Sequence, residues 1–291
     1  MSIIPTAVVV FAATVALLSD RGAASLPQQA AGAATSAAGA KPGASNTGPP
    51  EGSVLATLKL NRGQITAGGT AVSPKVYENF TYAGTLHVKA DYVTLRNFRI
   101  ISRDVHYGVQ CSYGNVGLVM EDGEIAGTQS AAVYGSNFAA RRLEVHDQGR
   151  DAFKPFDSVL IEGCWVYDLG YVADAHADGV QMVGGKNVTI RGNNFDMPTD
   201  HNGYANSQCV IIQTDSGAID DVVIEDNWFD GGGFAVQVRD KKTGHGGPTN
   251  VHILNNRFGD ASRYGTHYID AGKGLVFTGN VRAKNERPIR R

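Results

Sequence analysis

The chain has 291 residues, 36 of them Gly, with 19% charged and a formal net charge of −2. A nucleic-acid binder needs a broad basic surface, which this balance excludes, although a local basic cluster still suits an acidic polysaccharide. Cys111, Cys164 and Cys209 form neither a disulfide framework nor a zinc spacing, and read as small buried apolar side chains.

Ala7 to Leu18 is a 12-residue apolar run, too short to cross a bilayer comfortably and suited to the core of a signal peptide. Small residues follow at Gly22, Ala23 and Ala24, where a peptidase can cut. Residues 1–24 are therefore expected to direct secretion. An uncleaved anchor is the alternative, because no Lys or Arg precedes the run. Residues 25–52 are rich in Ala, Gly, Ser and Pro and are expected to form a flexible linker. Residues 53–291 form the folded domain.

That domain is built on a repeat: a β-branched or apolar residue, any residue, an apolar one, a polar one, a small or Asn pair, then an apolar residue. It runs through Val93-Thr-Leu-Arg-Asn-Phe-Arg-Ile100, Leu118-Val-Met-Glu-Asp-Gly-Glu-Ile125, Phe138-Ala-Ala-Arg-Arg-Leu-Glu-Val145 and Val159-Leu-Ile-Glu-Gly-Cys-Trp-Val166. It continues in Val188-Thr-Ile-Arg-Gly-Asn-Asn-Phe195, Val222-Val-Ile-Glu-Asp-Asn-Trp-Phe229, Val251-His-Ile-Leu-Asn-Asn-Arg-Phe258 and Leu275-Val-Phe-Thr-Gly-Asn-Val-Arg282. The starts lie 25, 20, 21, 29, 34, 29 and 24 residues apart. A turn of a three-stranded β-coil takes about 20 residues, and the excess is loop. Alternation sends Val188 and Ile190 inward and Thr189 and Arg191 outward. The expected fold is all-β, a right-handed parallel β-helix of about eight coils. A leucine-rich horseshoe is disfavoured because its Leu spacing and helical segments are missing. Asn193, Asn227, Asn256 and Asn280 share one repeat position, so stacked coils should join them in a ladder, with Cys164 one coil earlier.

Before each copy lies a second short strand. If Val109, Val133, Phe153, Val180, Ile212, Val236 and Ile269 face the core, the outward column reads Gln110, Tyr134, Lys154, Gln181, Gln213, Gln237 and Asp270. A file of amides, a Tyr and a Lys at the strand spacing of about 4.8 Å suits sugar hydroxyls and pyranose faces. The alternative is an ordinary polar sheet face. Loops 168–177, 197–208 and 259–266 lead into these strands and 241–249 leaves one. They are expected to bring His176, Asp178, His201, Tyr204, His245 and His267 towards this flank.

The sharpest constellation is Arg150-Asp151-Ala152-Phe153-Lys154 followed one coil later by His176-Ala177-Asp178-Gly179-Val180-Gln181. With the opening segment Leu86-His-Val-Lys-Ala-Asp-Tyr-Val-Thr-Leu-Arg-Asn97, it resembles a secreted bacterial group of the pectate-lyase-like right-handed β-helix superfamily. The resemblance covers roughly residues 57–282, and Ala152 stands where that group carries Gly.

The resemblance implies a carbohydrate-active protein, and a polysaccharide lyase that cleaves a uronate polymer of alginate or pectate type by β-elimination. Lys154 is then the base, His176 the acid or a positioning group, and Tyr134 the second choice of acid. Arg150, Asp178, Gln181, Gln213, Gln237, Arg239 and His267 would bind substrate. A non-catalytic polysaccharide-binding module needs only the trough. A glycoside hydrolase would draw its two carboxylates from Asp151, Asp178 and Asp270, and a uronate epimerase is a further alternative. No cofactor is expected. Asp151, Asp174 and Asp178 offer oxygens to Ca²⁺, but no Asp-rich calcium motif is present. The expected partner is an acidic extracellular polysaccharide, with no nucleic acid, no stable membrane span and a monomeric state.

Overall fold

The first four residues of each repeat copy run extended between two residues of left-handed conformation. The computed structural model describes residues 40–198 and 206–291. The residue before each copy has a positive φ: Tyr92, Gly117, Asn137, Ser158, Asn187, Asp221, Asn250 and Gly274. So does the fifth residue of each copy: Asn97, Asp122, Arg142, Gly163, Gly192, Asp226, Asn255 and Gly279. A left-handed residue costs an L-amino acid roughly 1–2 kcal/mol, least for Gly, Asn and Asp, which hold most of these positions. The "small or Asn pair" of the repeat is thus one left-handed corner residue plus the residue that follows it.

The coils stack as parallel strands. Val159, Val188, Val222 and Val251 pair in succession, as do Ile161, Ile190, Ile224 and Ile253, and all eight side chains are buried. Past the corner, Phe195, Phe229 and Phe258 form an interior stack with ring centroids 5.3 and 5.2 Å apart. Two sheets result, one of 16 strands and one of nine. The larger holds both the repeat strands and those beyond the corner, because Leu118–Ala126 runs unbroken past it and pairs with both Phe138–Arg141 and Glu144–His146. Among the described residues there is no α-helix, and no helix is long and apolar enough to cross a membrane.

The asparagine ladder is present. Asn227 Oδ1 accepts from the backbone N–H and the Nδ2 of Asn193, both at 2.9 Å, while Asn227 Nδ2 donates to Ile190 O at 2.9 Å. Asn256 and Asn280 repeat the pattern, and Cys164 N–H donates to Asn193 Oδ1 at 2.8 Å. The three cysteines are free and buried.

Two expectations need correction. A further copy precedes Val93: strand Lys75–Tyr82 pairs with Val93–Ile101, matching Glu78 to Arg96 and Phe80 to Phe98. It departs from the apolar repeat because Lys75 and Tyr77 occupy the positions of buried Val93 and Leu95. The segment read as a flexible linker, 25–52, is docked over its last part. Gly48 N–H donates to Arg142 O at 2.9 Å, and buried Asn194 donates from Nδ2 to Pro42 O at 2.9 Å. Residues 1–39, which include the expected signal peptide, lie outside the described residues.

Candidate active site

The site face is the outer side of the nine-stranded sheet, whose strands run in chain order from Gln64–Ile65 to Gly265–Asp270. Backbone pairing aligns His87, Gln110, Tyr134 and Lys154 on successive strands. Phe153 pairs with Val180, which carries the row from Lys154 to Gln181. Beyond Gln181 the row continues through Ile211, Gln237 and Tyr268.

This corrects the sequence alignment at two places. Gln213 pairs with Arg239, and Arg239 with Asp270, so these three form a separate file two residues along the strands. At strand spacings of about 4.8 Å across and 3.3 Å along, Arg239 lies about 12 Å from Gln181, backbone to backbone. The cause is the run Cys209-Val-Ile-Ile212, buried throughout, in which alternation cannot say which residue faces out. His267 pairs with fully buried Val236 and sets its ring 4.7 Å from Phe277. It therefore belongs to the inward column at the last coil, not to the trough.

Lys154 and Gln181 are neighbours. Lys154 Nζ donates to Gln181 Oε1 at 2.7 Å and forms an ion pair with Asp151 Oδ2. Asp151 Oδ1 accepts the backbone N–H of Asp178 at 2.8 Å. Asp178 in turn accepts from Gln181 Nε2 at 3.1 Å and from the backbone N–H of Gln208 at 3.0 Å. Three consecutive strands are thereby laced through one lysine, one amide and two carboxylates. Asp151 is 1% exposed and Asp178 2%, whereas the Lys154 side chain keeps 20% of its surface open. Asp178 was expected to touch substrate. Both its oxygens are instead spent beneath the surface, so it orients Gln181.

The electrostatics follow from burial. Desolvation raises the Asp151 carboxyl above the usual carboxylate range, and Lys154 works against that rise. Asp178 is raised well above the range, first by desolvation and then by the neighbouring Asp151 charge. The arrangement favours one ionised and one protonated carboxyl beside a single lysine, which keeps the buried cluster near neutral.

Around this centre, Tyr134 stacks on Tyr107 with centroids 4.6 Å apart and meets Phe156 edge-on at 5.5 Å. His176 is exposed on the loop just before strand Ala177–Met182, and Arg150 is half-buried just before Asp151–Pro155. Asp174 is exposed on the same loop as His176, apart from the buried Asp151 and Asp178. His245 lies in the loop leaving the strands, where Thr214 Oγ1 donates to Gly246 O at 2.6 Å. That is the opposite end from His176. His201 and Tyr204 lie outside the described residues. Sequence reasoning gave Asp151 no part beside Lys154. Period-two alternation assigns residues three apart to opposite faces of a strand, so the spacing carried no signal of this ion pair.

Stacked parallel coils, an asparagine ladder at the corner and a laced polar row on one sheet define a β-helix protein. The chain belongs to the right-handed β-helix family, whose model, described as the right handed beta helix region, matches residues 84–287. No curated protein matches the chain. Among solved structures, the catalytic domain of a GH87 alpha-1,3-glucanase variant in complex with tetrasaccharides is similar over 70% of this chain, at 15% identity and a TM-score of 0.37. The match covers 49% of that structure's chain, so this protein spans about half of its length.

Proposed function

We propose that the outward face of the nine-stranded sheet binds a uronate-containing polysaccharide outside the cell, and that Lys154 cleaves it by β-elimination. The observation that carries this reading is the linkage of Asp151, Lys154, Gln181 and Asp178 at the centre of one outward row. Elimination needs the uronate carboxylate neutralised, the C5 proton removed and the leaving O4 protonated. Arg150 and the Gln181 amide meet the carboxylate. Asp151, its proton affinity raised by burial, takes the proton of Lys154 once substrate displaces water. The neutral amine then abstracts the C5 proton. The C5 electron pair forms the C4–C5 double bond, the C4–O4 bond breaks, and O4 collects a proton from His176 or from Tyr134 in the same row.

The competing reading is a trough that holds polysaccharide without breaking it, favoured by the fact that Lys154 is already ion-paired and both carboxylates are buried. Incubation with alginate, pectate and glycosaminoglycans separates the two. The lyase generates the ultraviolet absorbance of an unsaturated uronate. Binding with no absorbance on any of these polymers removes the lyase and leaves the binding module.

A further inference from the structure

Tyr264 and Tyr268 are 67% and 44% exposed, whereas most large apolar side chains among the described residues are buried. They are not scattered. Their ring centroids lie 5.8 and 5.7 Å from that of half-buried Phe234, tilted at 50° and 40° to it. The two rings therefore flank Phe234 and leave much of their own surface in solvent.

The backbone is shaped to present them. Tyr264 N–H donates to Gly233 O at 2.7 Å, and a Cβ on Gly233 would approach the Tyr264 ring to 3.2 Å. A side chain at position 233 would thus press on the ring. Gly265, with φ of +142°, turns the chain between the two tyrosines and pairs with Phe234. Tyr268 stands in the outward row, in register with Gln237. Three strand spacings separate it from Gln181, about 14 Å.

From these observations we infer that Phe234, Tyr264 and Tyr268 form a stacking subsite for a sugar ring of the same polysaccharide chain that reaches Lys154. The inference rests on the carbohydrate reading above and extends it to a second contact point. An aromatic face with an amide beside it suits a pyranose, which offers an apolar C–H face and a rim of hydroxyls. Tyr268 shares its row with Gln237 and Gln181, with Ile211 between the two amides, so a chain that reaches both points runs across the strands along the solenoid axis. The Tyr134–Tyr107 stack lies on the other side of Lys154. Tyr134 to Tyr268 is five strand spacings, about 24 Å, so full affinity requires an oligosaccharide of several rings and a chain that passes through the site.

Affinity electrophoresis through gels cast with alginate, polygalacturonate or chondroitin sulfate tests this, using the whole chain and its variants. The Tyr264→Ala/Tyr268→Ala protein should bind the retarding polymer about tenfold more weakly, with unchanged circular dichroism. The Tyr264→Phe/Tyr268→Phe protein keeps the ring faces and should stay near wild type. Wild-type retardation of the double alanine variant overturns the subsite alone. If no polymer retards the wild-type protein, the carbohydrate reading falls and the subsite with it.

Discussion

Lys154 Nζ and Gln181 Oε1 meet at 2.7 Å across adjacent coils, although 27 residues separate them along the chain. Beneath them Asp151 and Asp178 are buried, so the contact is the exposed end of a longer polar chain. A lysine pointing outward from a sheet would be dispensable for folding. One that neutralises a buried carboxylate is not.

Lys154→Ala should abolish turnover on whichever uronate polymer the wild-type protein cleaves. It should also lower the unfolding free energy by about 2 kcal/mol near neutral pH, because Asp151 is left buried without its partner. Lys154 holds the Asp151 carboxyl down, so its removal raises that carboxyl further. The stability deficit should therefore shrink as pH falls and Asp151 takes up a proton. Urea midpoints at several pH values would reveal this, and a deficit independent of pH would remove Asp151 from the account.

Asp178→Asn tests the buried acid. A carboxyl whose folded-state proton affinity is raised binds its proton more tightly in the native than in the unfolded chain. Its contribution is fully present below the ordinary value of 3.8 and is lost as pH rises through the folded-state value. The wild-type protein should lose stability across that window, by at most about 1.4 kcal/mol per pH unit for one group. The asparagine variant should show a flatter profile. Parallel profiles for the two proteins would mean that Asp178 is not protonated in the native state.

Asn227→Ala breaks the corner ladder at its middle. It removes the side-chain partner of the Asn193 backbone N–H and of the Ile190 carbonyl, while Asn193 Nδ2 keeps its bond to Ile161 O. Each such group costs about 1–3 kcal/mol, so a total loss of roughly 3 kcal/mol is expected by chemical denaturation. A loss under about 0.5 kcal/mol would show that the ladder is ornamental to stability.

The docked segment before residue 53 can be examined by hydrogen exchange. The Gly48 amide, bonded to Arg142 O, should exchange far more slowly than an unstructured amide. Exchange at the free-peptide rate would mean the segment spends most of its time off the sheet.

Much of this architecture could be read from the chain. Val188, Ile190 and Phe195 alternate or recur as an interior column must, and Asn193, Asn227, Asn256 and Asn280 keep one position, so their contacts follow once the coils stack. Lys154 and Gln181 were within reach for the same reason. The strand Lys75–Tyr82 breaks the repeat because Lys75 stands where every other copy opens on an apolar residue, in register with buried Val93.

What the sequence alone determined was the coil, because a period of two, left-handed corner residues and a recurring asparagine are properties of each repeat by itself. Only the tertiary structure could decide that Ile211 rather than Gln213 follows Gln181, that His267 turns inward, and that Asp178 lies covered. Register through a continuous apolar run, and the burial of a carboxyl, are set by the coils above and below, and no count along one strand contains them.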